Sequence, residues 1–203
     1  MTPLILGWIG AVLLSLTPGP SILGTVGISM ARGRQAAMRF ALGVVIGSTV
    51  WAGLGALGLA ALLETYGSVA SVLKIAGAGY LAFLAFKAIR RASAPVPAPP
   101  IPRRSEKPLV SAILLQATNA KAIFGWTAVA AVALPGEAGG AAVLLFLLGA
   151  LPLNYLVTFG YAFVFSTPKA MAFYQRLYRP LEVVLASFFS AAAVGLVAEA
   201  ARR

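Results

Sequence analysis

Six times along its 203 residues the chain runs apolar for about 20 positions or more: Leu4–Ala31, Ala36–Leu63, Val69–Ile89, Leu109–Leu134, Ala141–Phe165 and Leu181–Ala200. A helix of about 20 such residues crosses a hydrocarbon core of about 30 Å. The pattern therefore predicts six membrane-spanning helices and leaves little chain for a soluble domain. Only 10% of the residues are charged, against about 25% in an ordinary soluble domain. The expected fold class is an all-α polytopic membrane protein, one membrane domain over residues 1–203. Its first run has no basic stretch ahead of it and continues past Pro18 and Pro20 to Arg32, so it reads as a retained span rather than a leader. At 28 residues it would be about 42 Å long if straight, so a break or a tilt is expected.

Charge placement predicts the topology. The connections after the first, third and fifth runs, with the run ends that border them, hold twelve basic residues: Arg32, Arg34 and Arg39; Lys87, Arg90, Arg91, Arg103, Arg104 and Lys107; Lys169, Arg176 and Arg179. The opposite side has only Arg202 and Arg203, with Glu64, Glu137 and Glu199 nearby. By the positive-inside rule the twelve are cytoplasmic and both termini lie outside. Residues 90–108 form a basic, proline-rich linker that packs no core. It separates a first half, residues 1–89, from a second, residues 109–203. Three spans per half make the halves run in opposite senses, the inverted-repeat plan of many transporters, whose site lies near the midplane between the halves.

Composition narrows the chemistry. There is no cysteine, histidine or aspartate, and the five glutamates (Glu64, Glu106, Glu137, Glu182 and Glu199) fall near the ends of apolar runs or outside them. Thiolate and imidazole metal sites, thiol exchange and Ser-His-Asp chemistry are excluded, and neither a cofactor nor a metal is expected. The net charge of +11 comes in short clusters between apolar runs, without the aromatic interleaving of a nucleic-acid platform. No Gly-Lys-Ser/Thr phosphate loop is present. An enzyme has few residues here to work with. A transporter, a passive channel and a non-transporting membrane subunit remain, with a small-molecule substrate and the bilayer as partners and homo-oligomerisation left open.

Two polar interruptions stand out. Thr17-Pro18-Gly19-Pro20 breaks the first run: the prolines remove two amide donors, and freed carbonyls need protein or a polar cavity around them. Pro20 suits the first position of a new helix, whose positive end favours an anion. The motif reads either as a kink that shapes packing or as part of a binding site. In the second half, Gln116-Ala117-Thr118-Asn119-Ala120-Lys121 interrupts the fourth run. Lys121 lies 14 residues past Lys107 and 16 before Glu137, about 21 and 24 Å along a helix, hence near the midplane. An ammonium there is either a structural charge satisfied by carbonyls near Thr17 and the side chain of Asn119, or a functional group.

The run Thr17-Pro18-Gly19-Pro20, followed by Arg32-Gly33-Arg34, Gly43-Val44-Val45-Ile46-Gly47 and Lys74-Ile75-Ala76-Gly77-Ala78-Gly79-Tyr80-Leu81, resembles the signature of the LysE family of amino-acid exporters. The resemblance covers the whole chain. It implies export of amino acids or similar zwitterions, with a binding site drawn from Thr17, Pro18, Gly19, Pro20, Ser48, Asn119 and Lys121. Two positions depart from the family's pattern. Asn119-Ala120-Lys121 stands where the family usually has Asn-Pro-Lys, and Ser48 stands where it commonly carries an aspartate, which points to a less cationic substrate.

Other residues have plainer readings. Gly43 and Gly47, and Ala52, Ala56 and Ala60, are small residues four apart that let helices approach closely. Lys74 reads as snorkelling outward, and Pro152 and Asn154 either line the cavity or bend the fifth span. Trp8, Tyr66, Tyr174 and Tyr178 read as interfacial anchors.

Overall fold

The computed structural model describes residues 2–65, 67–94, 107–134, 139–165 and 168–201, and all their regular structure is helical. The helices are α1 (Thr2–Leu16), α2 (Pro20–Thr65), α3 (Gly67–Ala92), α4 (Pro108–Ala117), α5 (Ala120–Ala133), α6 (Gly140–Val164) and α7 (Pro168–Ala201). Among the described residues three stretches are, by length and composition, long and apolar enough to cross a membrane: Pro20–Gly58, Gly140–Val164 and Tyr178–Ala198. Thr2–Leu16, Pro108–Ala117 and Ala120–Ala133 are shorter apolar helices. Most of the linker, together with Tyr66, Glu106 and Glu137, lies outside the described residues, as do the side chains of Ala60, Glu64, Lys74, Lys169, Tyr174 and Glu199.

The helices differ from the apolar runs at four places. The first run divides at Thr17–Gly19, and the fourth at Thr118 and Asn119. In contrast, the end of the first run, the Arg32–Arg39 connection and the second run join in α2. The chain turns inside it at Gly33, with φ 77° and ψ −179°, a conformation that only glycine adopts without strain. Finally, α7 begins at Pro168, thirteen residues ahead of the last apolar run, and carries Pro180 inside it. Local chemistry sets the new helix starts. Pro108 and Pro20 occupy first-turn positions where a missing N–H is harmless, and Asn119 caps α5 by accepting from the Lys121 N–H at 3.1 Å.

Packing mixes the two halves. The long helix α2 lies against α4, α5 and α6, α1 against α5 and α6, and α3 against α7. Gly43 and Gly47 make the α2–α4 approach possible. A Cβ on Gly43 would run into the Leu109 carbonyl and lie 2.7 Å from the Ala112 Cβ, and one on Gly47 would lie 2.6 Å from the Gln116 Cγ. Ala52 and Ala56, on the same helix, are fully buried. The main core gathers Leu14, Trp126, Phe146, Leu185 and Phe189. Around it the outer faces expose large apolar side chains, among them Leu114, Leu148, Leu156 and Val194, each more than 60% accessible.

Two expected anchors are turned inward instead. Trp8 is partly buried, donates its indole N–H to the Phe146 carbonyl at 3.2 Å, and lays its ring on Gly149. Tyr178 is buried and its hydroxyl bonds to Glu182. Glu182 does lie near a span end, in the first turns of the apolar stretch Tyr178–Ala198, yet it does not face outward. It is fully buried and receives Arg91 from the last turn of α3 in a two-pronged pair, Nε at 2.6 Å and Nη2 at 3.1 Å. The sequence could not show this pair, because α7 continues through the basic stretch that hydropathy treats as a connection.

Candidate functional site

At the first break several backbone groups near the prolines have identifiable partners. Thr17 closes α1 by giving both its N–H (2.9 Å) and its hydroxyl (2.7 Å) to the Leu13 carbonyl. The Leu16 carbonyl would take the N–H of residue 20 in a continuous helix, but Pro20 has none. Tyr161 of α6 supplies a hydroxyl there instead, at 3.3 Å. The Thr17 carbonyl accepts from the Lys121 ammonium at 2.5 Å. The Leu23 N–H then reaches the Gly19 carbonyl at 2.9 Å and α2 is under way.

The second break is held by side chains. Gln116 is buried at the end of α4 and acts as its hub. Its carbonyl oxygen accepts from the Ser21 hydroxyl and from the Asn119 amide (3.0 Å), and its own amide donates to the Ser48 hydroxyl at 2.9 Å. The Asn119 amide also donates to Ser21 Oγ at 3.0 Å. Above it, the Trp51 indole N–H donates to the Gln116 backbone carbonyl at 3.0 Å. One network thus ties the start and middle of α2 to the α4–α5 break, in surroundings where unpaired polar groups are costly. Asn119 serves the Lys121 backbone rather than its ammonium, which corrects the expectation that its side chain would partner that charge.

These elements enclose a small cavity of about 40 Å³, room for two or three waters and too little for an amino acid. Ser15, Ser21, Ser48, Gln116, Asn119, Lys121, Asn154 and Thr158 give it a polar lining, and Leu14, Ile22, Val44 and Trp126 close the remaining wall. No carboxylate is among the lining residues. A second cavity of about 530 Å³, large enough for a small metabolite, is lined by Pro18, Gly19, Pro20, Phe40, Lys87, Arg91 and Tyr178 among others. Gly19 stands between Lys121 and this larger space: a Cβ there would lie 2.9 Å from Lys121 Cδ and 3.4 Å from Nζ.

The residues marked in the sequence therefore divide. Ser48, Asn119 and Lys121 meet at the polar cavity, Thr17 contributes a carbonyl, and Pro18, Gly19 and Pro20 border the larger one. Gln116 was named in the polar interruption but not as a site residue, and Ser21, Ser15, Thr158 and the Arg91–Glu182 pair were not singled out. Polar residues one helical turn apart inside apolar runs, such as Asn154 and Thr158, were the available signal. Among the described residues no group of three or more His, Cys, Asp or Glu is placed to hold a metal.

Comparison with known proteins decides the family, for the model of the LysE type translocators matches residues 12–200. The chain belongs to the LysE type translocator family. Among its relatives are the threonine efflux proteins of Salmonella typhi, 26% identical over 188 residues, and of Escherichia coli (strain K12), 24% identical over 191 residues. Each of these matches covers 90% of this chain and 91% of the relative. An uncharacterised membrane protein of Escherichia coli (strain K12), YahN, is 36% identical over 84 residues, which is 41% of this chain and 38% of that protein. No solved structure matches this translocator. Membership makes it a membrane transport protein, and its apolar helices and exposed apolar faces agree with that.

Proposed function

We propose that this translocator is a secondary exporter of amino acids or related small zwitterionic metabolites, working by alternating access at the plasma membrane. The observation that carries the reading is the Lys121 ammonium, seated on a carbonyl of the α1–α2 break at the edge of a polar cavity without a carboxylate. A substrate carboxylate would supply the missing counter-charge, and the N-terminal end of α2 adds a favourable dipole. The relatives named for threonine efflux support an amino acid as cargo.

In this reading the chain is a single membrane domain of six spans in two inverted halves. The first span is α1 with the start of α2, and the fourth is α4 with α5. Each is discontinuous near its middle, as transporter binding helices are. The basic connections are cytoplasmic and both termini are outside. The larger cavity, bordered by Lys87 and by Arg91 with its charge matched by Glu182, is then the cytoplasmic approach. The polar cavity is the closed binding site, which must widen as the halves rock. An ion gradient or the substrate's own gradient drives transport.

The deciding experiment is efflux from cells preloaded with a labelled amino-acid panel, threonine included, with and without the protein in the membrane. Faster, saturable release of at least one member is expected. Unchanged release across the panel overturns export, and non-saturating, uncoupled flux assigns a channel. Orientation is tested with single cysteines at Pro97 and Glu137 under an impermeant maleimide: labelling at 137 and not at 97 is expected, and the reverse refutes the topology.

A further inference from the structure

The side-chain oxygen of Asn154 on α6 is, among the described residues, the one buried side-chain polar atom without a hydrogen-bond partner. Its orientation is fixed by its neighbour. The single hydrogen of the Ser15 hydroxyl goes to the Ala11 carbonyl at 2.7 Å, so Ser15 Oγ can only accept from Asn154. The amide nitrogen meets it at 2.7 Å, and the carbonyl end is left over. Asn154 is 4% exposed and lines the polar cavity that also holds Lys121. Buried acceptors are rarely left unpaired, and a persistent one marks a place for a missing donor.

The rest of the lining narrows what that donor is. The Gln116 side-chain oxygen already accepts twice, from Ser21 and Asn119. Asn119 Oδ1 is taken by the Lys121 N–H. Lys121 is itself a cation and a donor, suited to a carboxylate. The cavity thus offers a positive group for one end of a zwitterion and, for the other, a buried amide oxygen with no partner, Asn154 Oδ1, beside the Ser48 and Thr158 hydroxyls. We infer that Asn154 Oδ1 receives the α-ammonium of the substrate, so that the site selects zwitterions over carboxylates that lack the amine. This rests on the amino-acid exporter reading. A neutral acceptor suits an ammonium whose charge is balanced within the same molecule, and it leaves no carboxylate to reward a second positive charge.

The test uses the full-length protein purified in detergent and thermal-shift titration with three probes. L-threonine has amine, carboxylate and hydroxyl; 3-hydroxybutyrate lacks the amine; L-2-aminobutyrate lacks the hydroxyl. The parent is expected to bind both amino acids well and 3-hydroxybutyrate weakly. Asn154→Leu preserves the branched shape and removes the acceptor. It should weaken both amino acids by about ten- to a hundredfold, the range of a hydrogen bond to a charged group, and leave 3-hydroxybutyrate nearly unchanged. Asn154→Asp keeps an acceptor and adds charge, so it should widen the preference for amine-bearing probes. It also decides the matter if the leucine variant does not fold. An unaltered amine preference in the variants, as expected if water alone fills the place, overturns this inference and leaves the exporter reading standing. Loss confined to threonine, with L-2-aminobutyrate unaffected, assigns Asn154 to the hydroxyl and also overturns it. A parent that binds no member of an amino-acid panel overturns both.

Discussion

The Lys121 ammonium meets the Thr17 carbonyl at 2.5 Å across 104 positions of sequence, joining the break in one half of the chain to the break in the other. Each break answers the other's physical need. The turn around Pro18 and Pro20 frees carbonyls, and a lysine deep in an apolar bundle requires acceptors. One of the partners, the ammonium, can exchange the carbonyl for a carboxylate without leaving the site.

Lys121→Met is therefore expected to separate folding from transport. Methionine fills the same space without charge, and relief of desolvation offsets the carbonyl left unpaired at Thr17. Membrane level and thermal unfolding in detergent should stay near the parent's, while efflux of a transported amino acid falls by at least about tenfold, the scale of one lost charge-assisted bond. Lys121→Arg should also be impaired, since a planar fork replaces a compact ammonium. Normal efflux by the methionine variant would remove Lys121 from the mechanism. Its absence from the membrane would assign the lysine to structure.

Gly19→Ala should disturb the same contact from the other side. The added Cβ would lie 2.9 Å from Lys121 Cδ, so the lysine stem must shift and its bond to Thr17 loosen. We expect reduced efflux with a melting temperature within a few degrees of the parent, because only about 1 kcal/mol of local crowding is at stake. Unaltered transport kinetics would show that the lysine's position at the break is not critical.

The Arg91–Glu182 pair should act mainly on stability. Both carboxylate oxygens are engaged and Glu182 is fully buried, so Glu182→Gln leaves a guanidinium without its counter-ion. Breaking such a pair from one side costs about 3–5 kcal/mol, whereas replacing both partners by apolar residues is often neutral. Unfolding in detergent should therefore show a strong loss for Glu182→Gln and recovery in Arg91→Leu with Glu182→Leu. Equal losses in both variants would refute the account.

Legibility in the sequence followed the range of the interactions. The breaks at Pro18–Pro20 and at Asn119 could be read because proline and a capping asparagine act on their own backbone. The all-helical class followed from the length of the apolar runs. Gly33 was harder, since a gap rich in arginine reads as a loop whether the helix stops there or turns on one glycine. The Arg91–Glu182 pair stayed hidden because its members lie 91 positions apart and the helix that carries Glu182 begins well before hydropathy rises. The free oxygen of Asn154 was invisible for a related reason. It follows from where the one hydrogen of Ser15 goes, and no local pattern records that.

Ser48 gives the sharpest test of how charge sets selectivity. It is 2% exposed, lines the polar cavity, and accepts from the Gln116 amide at 2.9 Å. An aspartate in its place can accept the same bond, so the network linking α2 to the α4–α5 break need not come apart. What changes is the field: a carboxylate enters a cavity that holds a lysine and no anion. In a medium of low dielectric that charge attracts a second cationic group on a substrate and competes with the substrate's own carboxylate for Lys121. Ser48→Asp should therefore shift efflux from neutral toward cationic amino acids, by about tenfold in relative rate if one charge-assisted bond is gained. Competition between labelled threonine and lysine in preloaded cells measures it. Unchanged selectivity with intact membrane levels would mean that the residue at position 48 braces Gln116 and never meets the cargo.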